Sequence, residues 1–207
     1  MGLTAEQLRT SLDAISAREP LIAAAVERVG YPEPRIREPG YETLLRTIVG
    51  QQVSVAAAQS IWNKLAAGVG DLTRPDIVAA APDEALRAAG LSRQKASYAR
   101  RLAEEVSTGR LDLSALPADD EEAIAQLVRV KGIGRWSAEI YLLFAEGRPD
   151  IWPAGDLAVQ IEIGRIMGHA ERPSERQTRD IAAVWSPHRG AAAILAWHHY
   201  KAEMDVI

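Results

Sequence analysis

The chain of 207 residues carries 24 Lys and Arg against 28 Asp and Glu, a net charge of −4, and no cysteine. The missing thiols exclude disulfides, cysteine zinc sites and cysteine-held iron–sulfur clusters, and the acidic balance argues against a protein that coats nucleic acid nonspecifically, because Lys and Arg supply most of that affinity. No apolar run approaches the roughly 20 residues that span a bilayer, and the amphipathic N-terminal stretch lacks a signal-peptide core, so a soluble, intracellular protein is expected.

Apolar residues recur at helical spacing almost throughout, and β-branched alternation is scarce, which predicts an all-α fold. In chain order the pattern predicts helices over about 4–16, 19–29, 41–67, 75–80, 83–89, 93–108, 119–128, 134–146, 156–167, 174–183 and 188–203. Pro82-Asp83 opens one of these, Gly90 and Gly109 end two, and Ser92 is placed to cap the helix that carries Arg93 and Lys95. The first break, "YPEPRIREPG", holds Pro32, Pro34 and Pro39 and reads as a linker, since proline stops a helix and restricts its predecessor. A second falls at "GRPDIWPAG". Together they divide the chain into a central helical lobe, 41–149, and a second lobe of 1–40 plus 150–207.

Charge is unevenly spread. Acids concentrate in "PADDEEAI", whereas Arg129, Lys131, Arg135, Arg148 and Arg165 form one basic group and Arg93, Lys95, Arg100 and Arg101 another, so a local basic face is compatible with the acidic total. The first group surrounds "VKGIGRWSAEI", in which Gly132-Ile133-Gly134 separates two helices. Two glycines let the backbone adopt positive φ and bring N–H groups close to a ligand, and N–H groups at a helix start seat a phosphate oxygen with the help of the helix dipole. A plain interhelical turn with Ile133 plugging the core is the competing reading. Asp156, after "WPAG" and before "LAVQIEIGRI", is equally well placed to cap a helix.

Four segments, in order, resemble the helix–hairpin–helix DNA glycosylase superfamily (HhH-GPD), and within it the 3-methyladenine DNA glycosylase II group. They are "IVGQQVSVAAAQSIWNKL", "VKGIGRWSAEI" for the hairpin, "WPAGD" for the loop and its acid, and "SPHRGAAAILAWHHY". The resemblance implies two helical lobes with an active-site cleft between them, the hairpin motif at about 127–145 and the acid in the second lobe. It implies a monofunctional enzyme of base excision repair that flips an alkylated base out of damaged double-stranded DNA and hydrolyses its N-glycosidic bond without a cofactor. Such a protein is expected to act as a monomer in the cytoplasm, associated with the nucleoid and with no membrane. A non-catalytic helix–hairpin–helix DNA-binding protein is the alternative. Bifunctional relatives carry a lysine directly after Gly-x-Gly-Arg, where this chain has Trp136, so lyase activity is not expected. The β-rich lobe of longer members has no counterpart, and a compact form is expected.

By the same resemblance Asp156 is the catalytic acid: a carboxylate beside the sugar stabilises the oxocarbenium-like charge left by the departing base and takes a proton from the attacking water. Trp136, an ordinary core aromatic on any other view, joins Trp197 in the base pocket, where electron-rich rings favour a cationic base. Ile140 stands where the family's pocket tyrosine is found, with Tyr141 one place on. Gly132, Ile133, Gly134, Lys131 and Arg135 are expected to hold DNA. Gln51 and Gln52 are either exposed amides at a helix bend or, at Gln52, the side chain that fills the gap left by the flipped nucleotide. Backbone carbonyls near Val128, Val130 and Ile133 are candidate ligands for a monovalent ion. Arg189 braces a loop or a phosphate.

Overall fold

The structure is a computed structural model and describes residues 2–204. Every regular element among them is helical: α1 (Ala5–Ser16), α2 (Pro20–Val29), α3 (Tyr41–Gly50), α4 (Val55–Val69), α5 (Pro75–Ala80), α6 (Asp83–Ala88), α7 (Arg93–Ser107), α8 (Asp120–Val128), α9 (Arg135–Tyr141), α10 (Leu157–Ile166), α11 (Glu175–Ala182) and α12 (Arg189–Met204). Local chemistry sets many of their starts. Thr4 and Gln7 form a reciprocal capping box at α1, Glu19 and Pro20 open α2, and the hydroxyls of Ser54, Ser92 and Ser174 cap α4, α7 and α11.

The chain forms two compact units, Met1–Arg37 with Leu142–Ile207, and Glu38–Tyr141. The second break therefore falls well before Pro149. Residues 135–146 are one continuous helical run in which α9 passes into a π-helical turn, Leu142–Glu146, and no proline interrupts it. The first break likewise lies at Arg37, inside the proline-rich stretch and not after it.

In the first unit α12 is the hub, packing on α1, α2 and α10. Ala191 through Ala196 are each at most 1 % exposed, as expected for a helix that is apolar all round. Leu8, Leu12, Ile15, Ile22, Ile163 and Trp185 complete that core. In the second unit α7 packs on α3, α5 and α6. Its buried face is largely alanine, Ala96, Ala99 and Ala103, which lets neighbouring backbones approach closely. Lys95 ties α7 to α3 by donating from Nζ to the Val49 carbonyl at 2.9 Å, one of the last carbonyls of α3; burial lowers its pKa.

The single helix expected over 41–67 is two helices. Ser54 starts a new one, and before it Gln52 takes a left-handed φ of 54°, a conformation that breaks the run. The amphipathic pattern continues across the break, which hid it.

Candidate functional site

In the second unit, α8 and α9 are joined by the glycine turn. The Ile133 N–H donates to the Val130 carbonyl at 3.0 Å and the Ile133 side chain is buried, so this residue plugs the core as well as shaping the turn. The two glycines differ in kind. Gly132 has φ +104°, and a Cβ built there would lie 2.3 Å from Cγ of Tyr98; the fold itself demands glycine. Gly134 has ordinary φ and nothing within 4 Å of such a Cβ. Gln51 donates from Nε2 to the Gly132 carbonyl at 2.9 Å and so clamps the turn from α3's end. Gln52, Lys131 and Gly134 are exposed. The Val130 carbonyl keeps a second lone pair beyond its bond from Ile133, which suits a monovalent cation.

Arg135 is engaged within the protein. Its guanidinium donates from Nη1 to Glu121 at 2.9 Å, from Nη2 to the other Glu121 oxygen, and from Nε to buried Glu139 at 2.9 Å. The Glu121 bonds raise its pKa above the usual arginine value despite desolvation. It fastens α8 to α9. The second basic group is similarly engaged: Arg100 pairs with Asp83 and the Ala81 carbonyl, and Arg101 with Glu104. Ile140 and Tyr141 are 4 % and 1 % exposed, with the Tyr141 hydroxyl accepting the Gly40 N–H at 2.8 Å. Trp136, by contrast, is 45 % exposed and no core aromatic.

In the first unit the loop before α10 is stiff. Trp152 donates to the Thr178 carbonyl at 3.2 Å, Gln160 to the Ala154 carbonyl at 2.7 Å, and the Asp156 N–H to the Pro153 carbonyl at 2.9 Å. Asp156 is indeed the N-cap: its Oδ1 accepts the Val159 N–H at 3.0 Å. The same oxygen accepts the indole N–H of Trp197 at 3.1 Å, so α12 and α10 together fix the carboxylate plane. Capping and chemistry are compatible, because one oxygen held by two donors sets the direction in which the other points. Phe144 packs on Trp197 with ring centroids 5.5 Å apart.

Two side chains that the sequence places in a linker join this cluster. The Arg35 guanidinium carbon lies 5.5 Å from the Trp197 ring centre and that of Arg37 lies 5.7 Å from Phe144. Burial lowers both pKa values; the charge of Asp156 counteracts this at Arg35, and Arg35 adds to it at Arg37. Their spacing of two residues between prolines was the available signal. Arg189 binds Asp150 with two parallel bonds of 2.8 Å, and Ser186 adds a third at 2.7 Å, so it braces the loop.

An exposed glycine hairpin and a helix-capping acid tied to tryptophan define an all-α helix–hairpin–helix protein. The chain belongs to the HhH-GPD superfamily of base excision DNA repair proteins, which it matches over residues 45–188. It is 31 % identical over 169 residues to DNA-3-methyladenine glycosylase 1 of Schizosaccharomyces pombe, covering 80 % of this chain and 74 % of the relative. Among solved structures it resembles the DNA-3-methyladenine glycosidase of Bacillus halodurans, with a TM-score of 0.86, 29 % identity, and coverage of 94 % of this chain and 91 % of that one. It also resembles the Schizosaccharomyces pombe 3-methyladenine DNA glycosylase in complex with abasic DNA, with a TM-score of 0.79, 28 % identity, and coverage of 94 % and 97 %.

Proposed function

We propose that the protein is a monofunctional DNA glycosylase of base excision repair that removes alkylated purines from duplex DNA inside the cell. The observation that carries this reading is Asp156, an acid aligned by the Val159 N–H and the Trp197 indole in a family of base excision proteins. When the bond between base and C1′ breaks, its electron pair leaves with the base and positive charge develops on the sugar. The Asp156 carboxylate stabilises that charge and accepts a proton as water attacks C1′. A base already cationic by alkylation needs little general-acid help, so one carboxylate suffices.

Trp136 and Trp197 are the proposed pocket aromatics, and the exposure of Trp136 leaves its ring accessible for this. Gln52, exposed on its left-handed turn, is the proposed filler of the vacated stack. The hairpin backbone at Gly134, with Lys131 beside it and a monovalent ion on the carbonyls near Val128, Val130 and Ile133, is the proposed phosphate seat. Trp136 also occupies the place where a strand-cutting relative needs a lysine, so no Schiff base to the sugar forms here.

The reading is tested by incubating methylated duplex DNA with the protein, identifying released bases by mass spectrometry, and running the DNA on a gel with and without alkali. Released alkylpurines, with strand cuts only after alkali, are expected. Cuts without alkali would overturn the monofunctional assignment, and tight binding with no released base would favour the non-catalytic alternative.

A further inference from the structure

The segment from Pro34 to Pro39 is built into the first unit and does not hang between helices. The Arg37 N–H donates to the Phe144 carbonyl at 2.8 Å, and Gly2 packs so closely on the Arg35 and Phe144 carbonyls that a Cβ there would come within 2.6 to 3.0 Å of them. This anchoring sets Arg35 over Trp197 and Arg37 over Phe144, and the two rings touch each other. Several arginines of this chain lie against a carboxylate, as Arg46, Arg74, Arg110 and Arg135 do. Among the described residues neither the Arg35 nor the Arg37 guanidinium has a hydrogen bond or ion pair within 4 Å.

We infer that Arg35 and Arg37 form a phosphate clamp, a second DNA-binding site that receives a backbone phosphate next to the nucleotide whose sugar faces Asp156. A guanidinium carries its N–H donors in one plane, the geometry that suits two parallel bonds to phosphate oxygens, and an aromatic ring beside it limits its motion. Two cations on touching rings gain most from an anion that bridges them; burial lowers the pKa of each, and the charge of Arg35 lowers that of Arg37 further. The neighbouring Asp156 carboxylate is too weak a counterweight for two charges. The clamp rests on the glycosylase reading for its ligand, DNA.

The test compares Arg35→Gln, Arg37→Gln, the double variant and Arg35→Lys with the wild-type protein. Each is assayed for affinity to undamaged duplex and to duplex with a stable abasic-site analogue across 50–400 mM salt, together with thermal unfolding and single-turnover base release. Each Gln variant should weaken both duplexes by roughly fivefold to tenfold near 0.1 M salt, and lower the slope of log affinity against log salt by about 0.9. Arg35→Lys should restore the slope, since it restores the charge, while leaving part of the affinity loss. Unfolding temperatures should stay close to wild type. An unchanged salt slope in the double variant would overturn the clamp, as would a loss in which unfolding temperature and affinity fall together. So would a change confined to one damaged base, which would make Arg35 a reader of the base. The two readings fail separately: wild-type protein that binds duplex but releases no base sinks the glycosylase, and a reduced slope in the variants would still support the clamp.

Discussion

The hairpin and the acid loop solve opposite problems. In the hairpin the side chains are spent on structure: Arg135 on Glu121 and Glu139, Gln51 on the Gly132 carbonyl, Ile133 on the core, and Gly132 on making room for Tyr98. What remains outward is backbone, at Gly134. In the acid loop the backbone is spent on structure, through Ala154, Pro153 and Val159, and what is aimed is a side chain. On the proposed function, the hairpin is a surface that must accept any sequence of DNA and needs only backbone donors and a gap, whereas bond breaking needs a carboxylate in a fixed plane. Substitutions that separate the structural from the outward parts of each region test this contrast.

The largest effect should come from Asp156→Asn. Asparagine caps a helix about as well as aspartate and can still accept the Trp197 N–H, so the fold should persist while the charge is lost. Base release in single turnover should fall by about 10²-fold or more, with little change in affinity for damaged duplex. Activity within a few fold of wild type would reduce Asp156 to a cap.

Gly132→Ala comes next and should be a folding defect. A Cβ within 2.3 Å of the Tyr98 ring, on a backbone at φ +104°, combines overpacking with an unfavourable conformation, together roughly 2–4 kcal/mol. An unfolding temperature lowered by roughly 5–15 °C is expected, partly restored by Tyr98→Ala in the same chain. Gly134→Ala is its counterpart. With open space around the new methyl, unfolding should change by less than about 1 kcal/mol, yet affinity for every duplex should fall by about tenfold with the preference for damage intact. A loss restricted to one lesion would contradict the backbone role.

The two glycines also show where the sequence was readable. Both stood out as hairpin glycines, but the reason for Gly132 lies in Tyr98, far away in the chain, and no local pattern reports a packing contact of that range. Arg135 is similar: Glu139 at i+4 was a visible partner, while Glu121 becomes one only once α8 and α9 lie side by side. The helices were legible from caps and periodicity, and Asp156 was legible as a cap. The break between α3 and α4 was missed although Ser54 advertised a cap, because neither glycine nor proline marks it. Arg35 and Arg37 were missed for the opposite reason. Prolines mark their stretch so plainly as a linker that its side chains drew no reading.

The smallest effect belongs to the scaffold of the acid loop and shows what a charge does there when it has no chemistry to perform. Asp150 is 19 % exposed; its burial pushes the carboxyl pKa upward, but the bonds from Arg189 and Ser186 outweigh this and hold it below the usual carboxylate range. A depressed folded value means the ionised form is favoured by folding, so the stabilisation is complete above the unfolded pKa of about 3.9 and is lost as pH falls through the folded one. Asp150→Asn should therefore cost about 1 kcal/mol near pH 7, the lower end for a charged hydrogen bond because Arg189 is a third exposed. The gap between variant and wild type, measured as urea unfolding midpoints, should close as pH is lowered from about 4 toward 2, and 1 M salt should trim it at neutral pH. A gap that stays constant from pH 7 to pH 2 would mean that the shape of the Asp150 bonds, and not their charge, braces α12 against the loop. Base release at neutral pH by the folded variant should remain close to wild type, since Asp150 holds the loop's far end while Asp156 is fixed separately by Val159 and Trp197.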